Sequence, residues 1–295
     1  MIVVTGGSVD CQFVPACNIG VNPVNFHSTL GENASWHSGF LGPVVVTIQP
    51  HISFPQGQVT NEEIALRWLH FAAGIIWIGL LYFFNLVGTK TIKGLEPAVR
   101  AKVFPPLMAR AMWWFRWSAL VAVLAGLRYF WLILAADAHN VGDSSLAWRW
   151  FGEWLLVWCV AFALIYPFQL PHKGIMDSTW LRTIAIAVIT IATAWIILVL
   201  NANPESSNRH LSIAIGGGLG LLMLLNTWGV VWRAQKRLIA WTRAAAEQGT
   251  PMPPEAEQMQ RWAFLASSTG FWLSFPLLFF MAAASHYPFL RSVVD

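Results

Sequence analysis

Four histidines are the side chains of this sequence best suited to bind a cofactor or to move protons. His70 lies near the start of an apolar run, and His139, His210 and His286 flank other apolar runs. An imidazole can ligate haem iron or another metal, and it can relay protons. Because an ionisable residue inside an apolar segment is costly, His70 is the first candidate for such a role. The alternative is a histidine that hydrogen-bonds to a neighbouring helix, and for His139 a solvated side chain is the favoured interpretation.

Arg128 and Glu153 form a second candidate group. Each lies inside an apolar run, and the two are at a similar distance from the same end of a predicted helical hairpin. A buried arginine is tolerated when a carboxylate binds it through charge-assisted hydrogen bonds. We therefore predict a structural Arg128–Glu153 pair. The alternatives are proton handling by the pair, or pairing of Arg128 with a haem propionate.

A glycine-rich stretch lies inside another apolar run. Gly216, Gly217 and Gly220 predict a helix face that allows close contact with a second helix. The stretch does not follow a strand or open a helix, which argues against a nucleotide-binding loop. It would serve packing within the chain, or it would make room for a partner helix or a flat cofactor.

The cysteines indicate little metal chemistry. There are 3 cysteines and no Cys-x-x-Cys-His motif, so no covalently attached haem is expected, and no paired motif suggests zinc. The only metal that we expect is haem iron. Cys11 and Cys17 could form a disulfide if the N-terminal segment lies in an oxidising compartment. The alternative is two unpaired residues.

The composition indicates that these groups belong to a membrane protein. Only 11% of the 295 residues are charged and 56% are hydrophobic, whereas a soluble domain has about 25% charged residues. The net charge of +4 raises the possibility of nucleic-acid binding, but no basic patch or known motif supports it. Apolar runs near the roughly 20 residues that a bilayer needs cover residues 64–87, 112–136, 146–169, 180–200, 209–232 and 262–285. We predict an all-α integral membrane bundle of about six transmembrane helices.

The distribution of Lys and Arg orients this bundle. The connections 88–111 and 233–261 and the short third-to-fourth connection are basic, whereas residues 1–60 contain neither Lys nor Arg. Because Lys and Arg mark the cytoplasmic side, both termini are predicted outside, in the periplasm of a Gram-negative bacterium. The predicted domains are an irregular extracytoplasmic segment 1–60, a six-helix domain 61–290 and a short tail 291–295. All four histidines then lie near the outer face, where two of them from different helices could hold a b-type haem.

Several short motifs are similar to those of a known family. They are Arg67-Trp68-Leu69-His70 with Trp77-Ile78-Gly79, Ala111 to Trp117, Asn226 to Trp232, and Phe275 to Met281 with Ser285-His286-Tyr287-Pro288. Together they resemble the N-terminal membrane domain of the bacterial cytochrome-c-linked urate oxidases (urate hydroxylases). The family's C-terminal cytochrome c domain, with its Cys-x-x-Cys-His motif, has no counterpart here. The Leu-His…Trp-Ile-Gly pattern is also similar to copper-resistance membrane proteins and to a haem-b-containing protoporphyrinogen oxidase, which implies haem near His70.

These observations lead to three hypotheses of function. The first is a subunit of a respiratory or electron-transfer assembly that binds haem b through His70 and either His210 or His286, with Arg128 nearby, and exchanges electrons with a separate periplasmic cytochrome c. The second is a cofactor-free scaffold subunit of a larger membrane complex. The third, implied by the resemblance, is cytochrome-c-linked urate hydroxylation. A transport function has little support, because no inverted repeat or pair of broken helices is evident.

Overall fold

The computed structural model describes residues 3–5, 8–10, 55, 57–170, 178–201 and 206–290. The chain divides into two compact units, Met1–Pro55 and Gln56–Asp295. In the first unit, β1 (Val3–Thr5) and β2 (Ser8–Asp10) form an antiparallel pair. Cys11 and Cys17 lie outside the described residues, so their disulfide stays a prediction.

The second unit is built from helices. Their bounds are α1 Gln58–Tyr82, a first π-helical segment Phe83–Gly88, α2 Thr89–Gly94, α3 Pro97–Val141, α4 Leu146–Gln169, α5 Thr179–Leu200, α6 Asn208–Asn226, a second π-helical segment Thr227–Val231, α7 Trp232–Gln248 and α8 Ala256–His286. Within the described residues, 6 helical stretches are long and apolar enough to cross a membrane, counting Gln58–Gly94 and Asn208–Gln248 as continuous. The prediction of six apolar helices is confirmed.

Two of the predicted connections are wrong in extent. Residues 88–111 were expected to link two spans, but helix continues to Gly94 and starts again at Pro97. In the same way, α7 runs to Gln248 and α8 starts at Ala256. Lys, Arg, Glu, Gln and Ala dominate these stretches and favour helix, so the polar residues extend the helices instead of ending them.

The core of this unit surrounds α6. In the helical stretch Asn208–Gln248, 72% of the most apolar window is buried, compared with 11% for Thr179–Leu200. Three fully buried indoles of α4 face α6, namely Trp150, Trp154 and Trp158, and their spacing of four residues puts them on one helix face. The Trp154 Nε1–H donates to the Ala214 carbonyl of α6 at 2.7 Å. α6 is therefore the central helix, and α5 lies at the periphery.

Local signals end the helices that position the site. Gly142 has φ +85° and ends α3, a left-handed conformation that glycine adopts without strain. In the turn that follows, the Asp143 carboxylate accepts hydrogen bonds from the Ser145 backbone N–H and hydroxyl at 2.9 and 2.6 Å. These bonds stabilise the charged form and lower the pKa of Asp143. The Ser207 hydroxyl oxygen accepts from the His210 N–H and caps α6.

Candidate functional site

His70 is held against α3 by one of its ring nitrogens. His70 Nδ1 lies 2.7 Å from the Ala122 carbonyl oxygen, and a carbonyl only accepts, so Nδ1 carries the proton. One turn further along α3, a Cβ on Gly126 would lie 3.0 Å from Nδ1, so this glycine makes room for the ring. Among the described residues, no group hydrogen-bonds to Nε2. This leaves the Nε2 lone pair available at the seam between α1 and α3, as in histidines whose other nitrogen is anchored for metal binding.

Next to His70 lies a group that we call the arginine–tyrosine cluster, made of Glu63, Arg67, Tyr129 and Arg209. The Tyr129 hydroxyl accepts from Arg67 Nε at 2.7 Å and from Arg209. The guanidinium carbons of the two arginines lie 5.1 and 4.7 Å from the centroid of the Tyr129 ring, within cation–π range. Arg209 also pairs with Glu63 at 3.3 Å. The cluster therefore ties α1, α3 and α6 together.

Arg67 is the cation of this cluster without a carboxylate partner. No Asp or Glu of the described residues forms an ion pair with it, and its Nε is bound by the neutral Tyr129 hydroxyl. Arg67 precedes His70 by three residues, so the two side chains are neighbours on one face of α1. A free imidazole nitrogen and an unneutralised guanidinium are thus close together.

We expect Tyr129→Phe to lower the free energy of unfolding by about 1–2 kcal/mol, because two charged donors lose their shared acceptor. The measurement is an SDS titration of the detergent-solubilised protein, followed by tryptophan fluorescence. Tyr166→Phe is the matched control, since the Tyr166 hydroxyl has no hydrogen-bond partner among the described residues. Equal stability of the two variants would contradict a structural role for the Tyr129 hydroxyl.

The predicted Arg128–Glu153 pair is wrong. Arg128 forms a bidentate pair with Glu62 of α1, at 2.7 and 3.1 Å, and Glu153 pairs with Arg149 of its own helix at 3.6 Å. Phe130 contacts Trp154 and so marks the side of α3 that faces α4. Two residues earlier, Arg128 is rotated by about 200° and points away from α4. The similar depth of Arg128 and Glu153 in the predicted hairpin did not determine which helix Arg128 faces.

His210 is completely buried and both of its ring nitrogens are hydrogen-bonded. Nδ1 lies 3.0 Å from Asp137 Oδ2, and Nε2 lies 3.2 Å from Asn201 Oδ1. The Asn201 amide nitrogen donates to the Ile197 carbonyl, which fixes its oxygen toward the imidazole. Both partners are hydrogen-bond acceptors, and the Asp137 carboxylate lies within ion-pair distance of Nδ1. His210 therefore has no nitrogen available for a metal.

The structure does not bring His70, His210 and His286 together. Arg209 binds Glu63, and the Asn208 amide binds the Ala283 carbonyl, so these residues lie at one level of the bundle. His70 is seven residues beyond Glu63, which is about 10 Å along α1 at 1.5 Å per residue. His286 lies three residues beyond Ala283 in the opposite direction and is exposed, as is His139 at the end of α3.

The predicted glycine face is buried inside this chain. A Cβ on Gly216 would lie 3.1 Å from the Met281 methyl carbon, and one on Gly220 would lie 3.5 Å from Leu277. Gly218 is covered by Trp158, whose indole a Cβ would overlap, while Gly217 faces Trp154 with ordinary spacing of 3.7 Å. α6 thus uses this face to pack against α4 and α8, and it is not exposed to a partner.

Some of these contacts had no signal in the sequence. Asp137, the partner of His210, and Tyr129, the partner of two arginines, both lie on α3. The groups that they bind lie on α1 and α6, and no spacing along the chain links them. Among the described residues, no group of three or more His, Cys, Asp or Glu side chains could hold a metal ion. In comparisons with known proteins, no family model, no curated protein and no solved structure matches this chain.

Proposed function

We propose that this chain is a multi-pass protein of the bacterial inner membrane, with both termini on the periplasmic side, which binds a b-type haem on His70. The membrane part is supported by the 6 long apolar helices of the described residues. The orientation is supported by the accumulation of Lys and Arg in 88–111 and 233–261 and by their absence from 1–60.

The observation that carries the haem proposal is the anchored imidazole of His70. Its Nδ1–H donates to the Ala122 carbonyl at 2.7 Å, which holds the ring and leaves the lone pair on Nε2. Gly126 provides the space that the ring occupies. The hydrogen bond that joins the two helices uses one ring nitrogen, and the other has no partner among the described residues.

The neighbouring residues fit an anionic cofactor. Arg67 lies one turn from His70 and has no carboxylate partner among the described residues, so its guanidinium could bind a propionate. Arg128 is already neutralised by Glu62, which makes Arg67 the better candidate for this role. Both ring nitrogens of His210 are hydrogen-bonded, and His286 lies at another level of the helical bundle. His70 would therefore be the one haem ligand supplied by the described part of the chain.

A b-type haem would supply reversible one-electron transfer. In the proposed site, His70 would hold the cofactor and Arg67 would bind its carboxylate. The Ala122 carbonyl holds the His70 ring, and Tyr129 fixes Arg67 relative to α3. A site near the periplasmic face would be within reach of a separate cytochrome c, and other membrane subunits would complete the assembly.

The test is an absorption spectrum of the full chain purified in detergent, oxidised and then reduced with dithionite. We expect a Soret band in the wild-type protein and its loss in His70→Ala, because the axial ligand is removed. His139→Ala is the matched control and should keep the band. With a single protein ligand, carbon monoxide should bind the reduced protein and shift the Soret band.

Two results would overturn this assignment. A wild-type protein without a Soret band would remove the haem and leave the cofactor-free subunit as the better hypothesis. A Soret band that survives in His70→Ala would move the ligand elsewhere. Urate consumption with added cytochrome c tests the third hypothesis in the same preparation.

A further inference from the structure

A second site lies at the other end of the helical unit. A cavity of about 530 Å³ is enclosed by the first π segment, α3, α7 and α8, and its volume is in the range of small-molecule sites. Asn85, which lines it, is fifteen residues beyond His70 along the helix, or about 22 Å at 1.5 Å per residue. The cavity is therefore separate from the site around His70.

Both π-helical segments border this cavity. Phe83–Gly88 forms one wall, and Val231, the last residue of Thr227–Val231, belongs to another. π-helical turns are rare and occur frequently at functional sites, because the extra residue disturbs the regular helical hydrogen bonds and redirects side chains. Because two such segments border one cavity, the cavity is a candidate functional site.

The cavity presents two hydrogen-bond acceptors that lack donors. The Asn85 amide nitrogen donates to the Leu81 carbonyl at 2.9 Å and to the Ser267 hydroxyl at 3.0 Å. These bonds fix the amide, and no group of the described residues donates to its oxygen. Gln235 of α7 also lines the cavity, and its Oε1 is buried under protein atoms and has no hydrogen-bond partner. A buried acceptor without a donor is costly, so a ligand that donates hydrogen bonds would be stabilised here.

A smaller adjoining cavity also contains an acceptor without a donor. It shares Val231 and Ser267 with the first cavity. Its walls include Asn226, whose side-chain oxygen has no hydrogen-bond partner although the residue is only 4% exposed. The Asn226 amide nitrogen is occupied by the Ala266 carbonyl at 2.7 Å. The deep part of the site is thus neutral and rich in acceptors.

The mouth of the cavity opens partly toward the apolar perimeter of the bundle. Phe83, Leu107 and Phe264 line it, and they are themselves 39%, 40% and 50% exposed. Phe83 and Phe264 lie in predicted apolar runs, so in a bilayer this edge of the mouth would contact lipid. The charged lining residues Lys93, Arg100 and Glu257 are all exposed and so belong to the rim. A ligand with an apolar tail could therefore enter from the membrane.

We propose that this cavity binds an isoprenoid quinol, whose ring hydroxyls donate to Asn85 Oδ1 and Gln235 Oε1 and whose tail leaves past Phe83 and Phe264. A phospholipid fits less well, because its phosphate needs cations, and the cations of this site lie only at the exposed rim beside Glu257. The proposal goes beyond the haem assignment and does not depend on it.

The test uses the full chain in nanodiscs of phosphatidylcholine and three decyl-tailed probes, titrated by calorimetry without oxygen. The probes are a benzoquinol, the corresponding quinone, and the quinol dimethyl ether, which keeps the shape but cannot donate. Because two neutral hydrogen bonds are lost, we expect the quinol to bind about tenfold more tightly than the quinone or the ether.

Variants of the lining residues test whether the probes bind in this cavity. Gln235→Leu should weaken quinol binding about fivefold and reduce the preference over the ether, since one acceptor is lost. Ala245→Phe, which fills the cavity, should abolish binding of all three probes. The control Gln258→Leu changes an exposed glutamine outside the lining and should bind as wild type, and so should His70→Ala. The unfolding midpoint of each variant confirms that it is folded.

Three results would overturn the proposal. Equal affinity for the quinol and its ether would remove the role of the two acceptors. No saturable binding of any probe would remove the site. Loss of quinol binding when the nanodisc contains an anionic phospholipid would assign the cavity to that lipid. None of these results bears on the haem spectrum, so the two proposals fail separately.

Discussion

Gly218→Ala is expected to lower the free energy of unfolding by about 3 kcal/mol, at the upper end of the effects of overpacking a close-packed core. A Cβ at this position would overlap Cε2 and Nε1 of Trp158. Trp158 is completely buried, so its rigid indole has no free space into which it can move. The change would therefore force α4 and α6 apart. SDS titration of the solubilised protein, followed by tryptophan fluorescence, measures the effect.

The adjacent residue provides the control. A Cβ on Gly217 would be 3.7 Å from Trp154, which is ordinary van der Waals contact, so Gly217→Ala should change the stability by less than about 1 kcal/mol. Combining Gly218→Ala with Trp158→Ala should recover part of the loss, because the second change removes the overlapping atoms. If Gly218→Ala and Gly217→Ala have equal effects, the close contact between Gly218 and Trp158 is not as described.

Asp137→Asn should destabilise the bundle by about 1–3 kcal/mol, the loss expected when a buried hydrogen-bonding group loses a charged partner. His210 is 0% exposed, and its other ring nitrogen faces the Asn201 oxygen. An amide at position 137 would lose the charge-assisted hydrogen bond to His210 Nδ1. The same SDS titration reports the change in unfolding free energy.

A double-mutant cycle with His210→Gln separates the pair from other effects of each change. We expect the two losses to be strongly non-additive, by more than about 1 kcal/mol, because each single variant already removes the pair. Asp143→Asn is the control, since Asp143 is an exposed carboxylate in the turn after α3. Additive losses, or an Asp137→Asn protein as stable as Asp143→Asn, would contradict the buried pair.

The helices could be predicted because each is coded by a local run of apolar residues. The runs around 146–169 and 180–200 end within one or two residues of α4 and α5. The extent of α3 and α7 was harder to predict, because the change from apolar to basic residues marks where a span would leave the bilayer, not where hydrogen bonding stops. Hydropathy indicates whether a helix is surrounded by lipid or by water, and it does not indicate the residue at which helical hydrogen bonding stops.

The site was only partly predictable, since its contacts join helices far apart in the sequence. His70 stands out as a histidine in an apolar run, but its partner is a backbone carbonyl, which any residue at position 122 would offer. Arg128 was assigned to the wrong carboxylate because depth along a helix could be estimated while rotation about its axis could not. The π segments have no recognisable residue pattern, so the cavity that they border could not be inferred.

The central position of α6 has a consequence for how the protein is made. Its neighbours include α8, which comes last among the described helices, so α6 leaves the ribosome before the element that covers its glycine face is made. Until then, Asn208 at its start would lack the Ala283 carbonyl that it binds in the finished bundle, whereas Arg209 and His210 already have their partners on α1 and α3. The glycine face of α6 is therefore covered on this side only once α8 has been made.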